Sequence, residues 1–412
     1  MKVFMRSDIL LPLPQLMERW PVIACDQFTS DQSYWNRVRE FAKDVPSAMH
    51  LILPEAELGA ADEEEKIAAI HGAMERYLAE GVLQEFSNCY IYVERTLHNG
   101  MIRPGLIGMV DLECYDFAHG STSLIRATEK TVLERIPPRQ RVRRGAAVEL
   151  PHVMMLCDDE KMQLIEPIQR VKGSLQKLYE LDLVEDGGHI AGYLVTDEVA
   201  EEFDLRLAKY FETLEEKYAD LDGAKVLLAV GDGNHSLATA KSCYEELKRA
   251  NPNVDLSDHP ARYALVELEN IHDPSQQFEP IHRVIMHTDG RKLLHDLQSV
   301  CQPGGYPVTW IMGDESGVVE LSRELGEIDV AVLQNFLDDW LKENPGQIDY
   351  IHGKEDVETL AHQENAVGLL LQPMGKSQLF RGVIAGGILP RKTFSMGHAR
   401  EKRYYLEGRK IK

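Results

Sequence analysis

Residues 226–241 read VLLAVGDGNHSLATAK, an apolar β-run that breaks at Gly231, Asp232 and Gly233 and reopens as a helix headed by Asn234, His235 and Ser236. Glycine at 231 and 233 lets the backbone turn sharply and approach a ligand closely. The free N–H groups of the helix that follows favour an anion such as phosphate. Asp232 adds a carboxylate beside that anion site, and a divalent cation is the usual bridge between two such negative groups. An ordinary strand-turn-helix, with Asp232 as its turn residue, fits the spacing equally well.

Working outward, AKVLLAV is a buried strand, and Tyr263 to Leu268 is a further strand beyond the helix. Thr196 to Tyr218 has helical period, with Thr196 as its cap. Toward the N-terminus, Asp62 to Glu80 places Ile67, Ile70, Met74 and Leu78 on one helical face, with acids in the first turn. Asn88 to Thr96 and Gly105 to Glu113 form an antiparallel hairpin around HNGMIRPG. Arg126 to Arg144 is basic and helical but interrupted by Pro137 and Pro138, and Val153 to Leu156 resumes a strand. From Pro303 to Asp356 a strand, a helix and a strand at Tyr350 suggest a small α+β subdomain. The expected fold class is α+β. A chain of 412 residues is long enough for two or three lobes, and we expect them at 1–115, 116–300 and 301–412.

Composition narrows the function classes. With 45 Lys+Arg against 67 Asp+Glu the net charge is −22, which argues against broad binding to nucleic acid or to an anionic membrane. The first fifteen residues, MKVFMRSDILLPLPQ, hold an apolar run too short to span a bilayer and include Asp8 and two prolines. They do not read as a signal peptide, and a cytoplasmic location is expected. Six cysteines lie scattered without metal or disulfide spacing and read as mostly buried thiols.

Four further stretches could carry chemistry. LIRATEKTVLERIPPRQRVRR, 124–144, concentrates arginines, Arg126 among them, around Glu129. It reads either as a cluster that neutralises a phosphorylated ligand beside a general base, or as a face that balances acidic neighbours. In EPIHRV, His282 and Arg283 could grip a phosphate or carboxylate, although a lone histidine is more often structural. GGILPRKTFSMGHAR brings Arg391, Lys392, Thr393, Ser395 and His398 into a glycine-containing loop that reads either as an anion-binding loop or as a basic C-terminal stretch that serves solubility. ACDQFTSDQSYW follows the strand PVIA, so Asp26 sits at a strand's C-terminal end, with Thr29 or Ser30 capping the next helix.

The order of PVIACDQFTS, RPGLIGMVDLE, ATEKT, PHVMMLCDD, GDGNHS, FEPIHRVI and LPRKTFSMG resembles the bacterial and archaeal proteins of the domain of unknown function 1015 family, over nearly the whole chain. The resemblance implies a ParB/sulfiredoxin-like nucleotide-binding core, with an N-terminal α/β lobe and a C-terminal α+β subdomain. Relatives of that core include an enzyme that phosphorylates free L-serine. Carried over by position, Glu129 is implied as general base, Asp232 as the magnesium-linked carboxylate, and Gly233 and His235 as a phosphate cradle with Gly231, Asn234 and Ser236. Thr128 stands where a histidine is usual. Asn234 and Ser236 replace a histidine and an arginine, which leaves Arg126 or Arg391 to supply the missing charge. The expected function is magnesium-dependent phosphotransfer between a nucleotide, ATP or ADP, or a phosphorylated metabolite and a small hydroxylated acceptor such as serine, in either direction. The alternative is a non-catalytic nucleotide- or phospho-metabolite-binding regulator. The partner is a small phosphorylated molecule, nucleic acid and membrane are not expected, and a homodimer is admitted.

Overall fold

The computed structural model describes residues 2–412 apart from 30, 119, 222–224, 387–388, 391 and 398, and apart from the side chains of 386, 395 and 396. The mixed α+β class holds, and two sheets dominate. The larger is eleven-stranded. Along it, in order, run Lys177–Asp182, His189–Val195, Leu83–Thr96, Ile102–Asp111, Tyr263–Asn270, Met154–Cys157, Leu228–Asp232, Ile125–Ala127 and Tyr115–Asp116, while Phe4–Met5 and Ser7–Pro12 pair off this path. The smaller sheet joins Glu315–Leu321, Cys301–Met312, Val367–Leu370, Phe278–Met286 and Gln347–His352.

Side chains opposite one another in a ladder point to the same face, which sorts the large sheet into two surfaces. One carries Tyr90, Leu106, Met155, Val230 and Leu268, all buried against the helices Asp197–Lys217 and Asn234–Ala250, which contribute Phe203, Leu207, Leu237 and Tyr244. The other divides. Ile91, Val93, Ile107 and Leu265 join a core with the N-terminal segment and the helix Glu63–Ala79. Met154, Leu156 and Ala229 join the core of the second sheet. Between these two cores lies a buried charged strip, with Arg103 Nε 3.1 Å from Glu269 and Arg403 Nε 3.1 Å from Glu267.

The expected hairpin is present as Leu83–Thr96 and Ile102–Asp111, paired antiparallel, and the helix at Asp62–Glu80 as Glu63–Ala79. Strand pairing runs across both expected lobe boundaries. Ile102–Asp111 pairs with Tyr263–Asn270 across 115/116, and Phe278–Met286 pairs with Val367–Leu370 across 300/301. The C-terminus also returns to the N-terminal part, where Tyr404–Tyr405 pairs with Val22–Ile23 and Arg409–Lys410 with Val148–Glu149. Three local expectations are corrected. Pro137 and Pro138 open the helix Ile136–Arg143 rather than interrupt it, because a missing N–H costs nothing in a first turn. Asp31 caps Gln32–Ala42 by accepting from Tyr34 N–H, in place of Thr29; Ser30 lies outside the described residues. Thr196 holds the N-cap position of Asp197–Lys217, but its hydroxyl donates to Asp197 instead of capping. Among the described residues no helix is long and apolar enough to cross a membrane.

Candidate functional site

Two parallel strands create the site. Ile125–Ala127 and Leu228–Asp232 pair in register as far as Ala127 opposite Val230. Glu129 and Asp232 each lie two residues further on, so the carboxylates emerge side by side beyond the C-terminal ends of parallel strands, where ligands of α/β sheets commonly bind. Thr128 fixes this end by donating its hydroxyl to Val230 O at 2.7 Å, and Leu389 N–H donates to Thr128 O at 2.8 Å. The chain therefore passes beside Glu129 at the start of the 389–397 loop, and bridges it at Leu389.

Two lysines face the two acids. Lys402 Nζ is 3.1 Å from Asp232 Oδ2. Burial alone pushes the Asp232 carboxyl up, but the Lys402 charge and hydrogen bond outweigh it and hold the group below the usual carboxylate range. Glu129 goes the other way. Burial raises its carboxyl, the Lys392 charge opposes this, and the like charge of Asp232 adds to the rise. Neighbouring acids pushed in opposite directions are a recurrent mark of acid–base sites.

Only the second glycine of the Gly-Asp-Gly turn needs to be glycine for its conformation. Gly233 has φ +79°, and a Cβ there would lie 2.9 Å from Val153 Cα. Gly231 instead sits inside the strand, at a bulge between Val230 and Asp232 that aims the carboxylate past the sheet. Gly233 N–H donates to Asp232 Oδ1 at 2.9 Å, and the helix Asn234–Ala250 begins at once. His235 Nε2 accepts from Val132 N–H at 3.1 Å. Burial, with the Arg139 and Arg135 charges adding, pushes His235 down to about 4, so its imidazole is neutral near pH 7 and offers no positive charge to a phosphate. The side-chain oxygen of Asn234 is enclosed without a hydrogen-bond partner among the described residues.

The structure adds residues that the motifs do not single out. His152 lies against the turn, 3.3 Å from where a Cβ on Gly233 would stand. Its Nε2 is 2.8 Å from Ser236 Oγ and 3.8 Å from Asp26 Oδ2, and its Nδ1 is 2.8 Å from Tyr405 Oη. Asp26 and Lys392 thus both reach the neighbourhood of the carboxylate pair. The signal that could have found His152 is its place just before the expected strand Val153 to Leu156, where a titratable side chain stands at the end of a sheet. Lys402 and Tyr405 carry no such signal, since KRYY reads as a basic tail until the chain is seen to fold back.

Other expected residues are engaged elsewhere. Arg126 is buried within the Ile125–Ala127 strand, its Nε donating to Ser123 O at 3.0 Å and its Nη1 to Val383 O at 3.4 Å. His282 and Arg283 belong to the second sheet. His282 Nδ1 accepts from Leu371 N–H at 3.1 Å, while Arg283 donates to Gln334 at 2.9 Å and lies over Tyr350. Four of the remaining arginines pair with acids: Arg139 with Glu55 at 2.6 Å, Arg141 with Glu63 at 2.5 Å, Arg143 with Glu149 at 2.6 Å and Arg144 with Glu246 at 2.7 Å. For these four the reading as a face balancing acidic neighbours fits. Arg391 and His398 lie outside the described residues, as does the side chain of Ser395.

No curated protein matches the sequence. Among solved structures, the chain is similar to C-terminally truncated SbnI from Staphylococcus aureus, with TM-score 0.37 and 9% identity over 73% of this chain and 85% of that one. It is similar to a free serine kinase in complex with AMP, with TM-score 0.35 and 10% identity over 74% and 90%. A conserved hypothetical protein from Pyrococcus furiosus gives TM-score 0.33 and 12% identity over 72% and 90%. Likenesses this distant say nothing of what the chain binds. The family model of proteins of unknown function designated DUF1015 matches residues 9–405, almost from end to end, and the chain belongs to that family.

Proposed function

We propose that the cleft between Glu129 and Asp232 performs phosphoryl transfer between a nucleotide or phosphorylated metabolite and a small hydroxylated acceptor such as serine. The observation that carries this reading is the pair of carboxylates set at the ends of two parallel strands, with Lys402 paired to Asp232, the Lys392 charge acting on Glu129, and a helix opening directly after Asp232 and Gly233. Phosphoryl transfer needs positioning and charge neutralisation more than covalent help from the protein. Glu129, its affinity for a proton raised by burial, takes the acceptor's hydroxyl proton. The first N–H groups of the Asn234–Ala250 helix, with Lys402 and Lys392, meet the phosphate oxygens. Ser236 contributes its place in that first turn, its hydroxyl being engaged with His152.

Magnesium fits the donor chemistry in part. Among the described residues no cluster of three or more His, Cys, Asp or Glu side chains could hold a metal. Magnesium bound together with a nucleotide commonly takes only one or two protein carboxylates, the phosphates and waters filling its shell. Asp232 is the residue that would hold it, and the ion would supply charge to the ligand phosphates.

Thermal unfolding with ATP, ADP, serine and phosphoserine, each with and without magnesium, tests the reading, since a ligand of the folded state raises the melting temperature. We expect a magnesium-dependent rise with a nucleotide or with phosphoserine, and turnover that Glu129→Gln lowers by about 10² to 10⁴ while binding is kept. Binding without turnover in the unaltered protein would assign the cleft to a regulatory nucleotide sensor. No thermal response to any of these ligands removes the proposal.

A further inference from the structure

Ser236, His152, Tyr405 and Cys25 form one chain of hydrogen bonds that phosphoryl transfer at Glu129 and Asp232 does not use. Tyr405 gives its single phenolic hydrogen to Cys25 Sγ at 3.1 Å and accepts from Cys25 N–H at 3.2 Å. With that hydrogen on the thiol, the phenol oxygen accepts from His152 Nδ1, 2.8 Å away. In the tautomer with the proton on Nδ1, Nε2 is the acceptor, 2.8 Å from Ser236 Oγ. Serine hydroxyl, imidazole with a free acceptor nitrogen, and a third group orienting the imidazole are the parts of an activated nucleophile. The Asp26 carboxylate, 3.8 Å from the same Nε2, faces the positive charge that the imidazole would acquire.

Ser236 and His152 also form part of the wall of a cavity of about 150 Å³. An apolar cavity of that size holds a molecule such as benzene. Its lining includes Leu53, Met74, Val142, Leu237, Leu265 and Ile411. Two arginines reach it, and each is already paired, Arg139 with Glu55 and Arg143 with Glu149, both at 2.6 Å. A space lined in this way suits an uncharged apolar group and gives a phosphate no counter-charge.

We propose that Ser236 and His152 are the nucleophile and general base of a second activity, hydrolysis of an ester whose small apolar acyl group occupies this cavity. Ser236 Oγ attacks the ester carbonyl carbon as its proton passes to His152 Nε2. The carbonyl electron pair moves onto oxygen, which the first-turn N–H groups of the Asn234–Ala250 helix can receive. The C–O bond to the alcohol then breaks, and the alcohol departs with the proton from His152. Water next attacks the acyl carbon and gives a proton to the same nitrogen. The C–Oγ bond breaks, Ser236 recovers that proton, and the carboxylic acid is released. Tyr405 acts through His152 and is a positioning residue.

The test uses the unaltered protein first, and its outcome is independent of nucleotide binding. Incubation with a fluorophosphonate, followed by peptide mass spectrometry, should place the label on Ser236. p-Nitrophenyl butyrate should be hydrolysed, with Ser236→Ala and His152→Gln each lowering the rate by about 10² or more. Tyr405→Phe should lower kcat with KM unchanged, because it disturbs the imidazole and leaves the cavity wall in place. Absence of label on Ser236, or ester hydrolysis undiminished in Ser236→Ala, overturns the proposal. Transfer of phosphate from ATP to Ser236 without ester hydrolysis overturns it as well, and would assign the dyad to phosphoryl transfer.

Discussion

At the scale of single residues, two titrating groups beside the turn make opposite contributions to stability as pH changes. His235 is held neutral down to about 4 in the folded chain against an ordinary value of 6.5. Between those values the unfolded chain binds a proton that the folded chain refuses, so stability falls as the solution is acidified through this window. His235→Gln should flatten that fall by up to about 1.4 kcal/mol per pH unit, read from denaturation midpoints at pH 4 to 7. Glu129 has the reverse sign. Its folded value lies above the ordinary 4.5, so the folded form gives up stability as pH rises and the carboxylate is forced to ionise. Glu129→Gln should therefore melt higher than the unaltered protein at pH 8 and no higher near pH 4, even as turnover is lost.

At the scale of elements, the turn between Leu228–Asp232 and Asn234–Ala250 rests on one glycine. Gly233→Ala combines a left-handed backbone with a 2.9 Å approach to Val153 Cα, and should cost about 1 kcal/mol or more, measurable by denaturant unfolding. The same turn shows what a sequence can and cannot announce. Strand, Gly-Asp-Gly and helix are legible at 226–241 because hydrophobic period and glycine placement are local. The hairpin at 83–111 and the helix at 63–79 are legible for the same reason. Less legible is the strand Ile125–Ala127, where three residues are too few to show a period and the arginines that follow suggest a helix. Its pairing with Leu228–Asp232, which sets Glu129 beside Asp232, joins residues about a hundred apart and leaves no local trace. Arg126 misleads on the same ground, because charge in a one-dimensional run does not show that a side chain points into the protein.

At the scale of the whole molecule, residues from distant parts of the chain meet at one place: Asp26, Glu129, His152, Asp232, Ser236, Lys402 and Tyr405. The expected three consecutive lobes miss this because the final segment doubles back. Leu406 O accepts from Trp20 Nε1 at 3.1 Å, Arg409 Nε donates to Glu149 at 2.8 Å, and Arg403 and Glu407 join the buried charged strip. Removing residues 402–412 would take Lys402 and Tyr405 from the cleft. It would also leave Glu267 without the buried Arg403 and Glu149 with Arg143 as its remaining arginine, for which a loss of about 3 kcal/mol or more is expected. Thermal unfolding and limited proteolysis of the shortened chain check this, with an unchanged melting temperature counting against it.

That returning segment also orders events during synthesis. Domains generally fold from the N-terminal end as the chain emerges, yet Asp232 lacks Lys402 and His152 lacks Tyr405 until residues 402–405 have left the ribosome. Until then the nascent protein carries a cleft without Lys402 and a histidine without its phenol. A chain arrested before residue 402 would therefore lack both of these groups, whatever else of the fold it had formed.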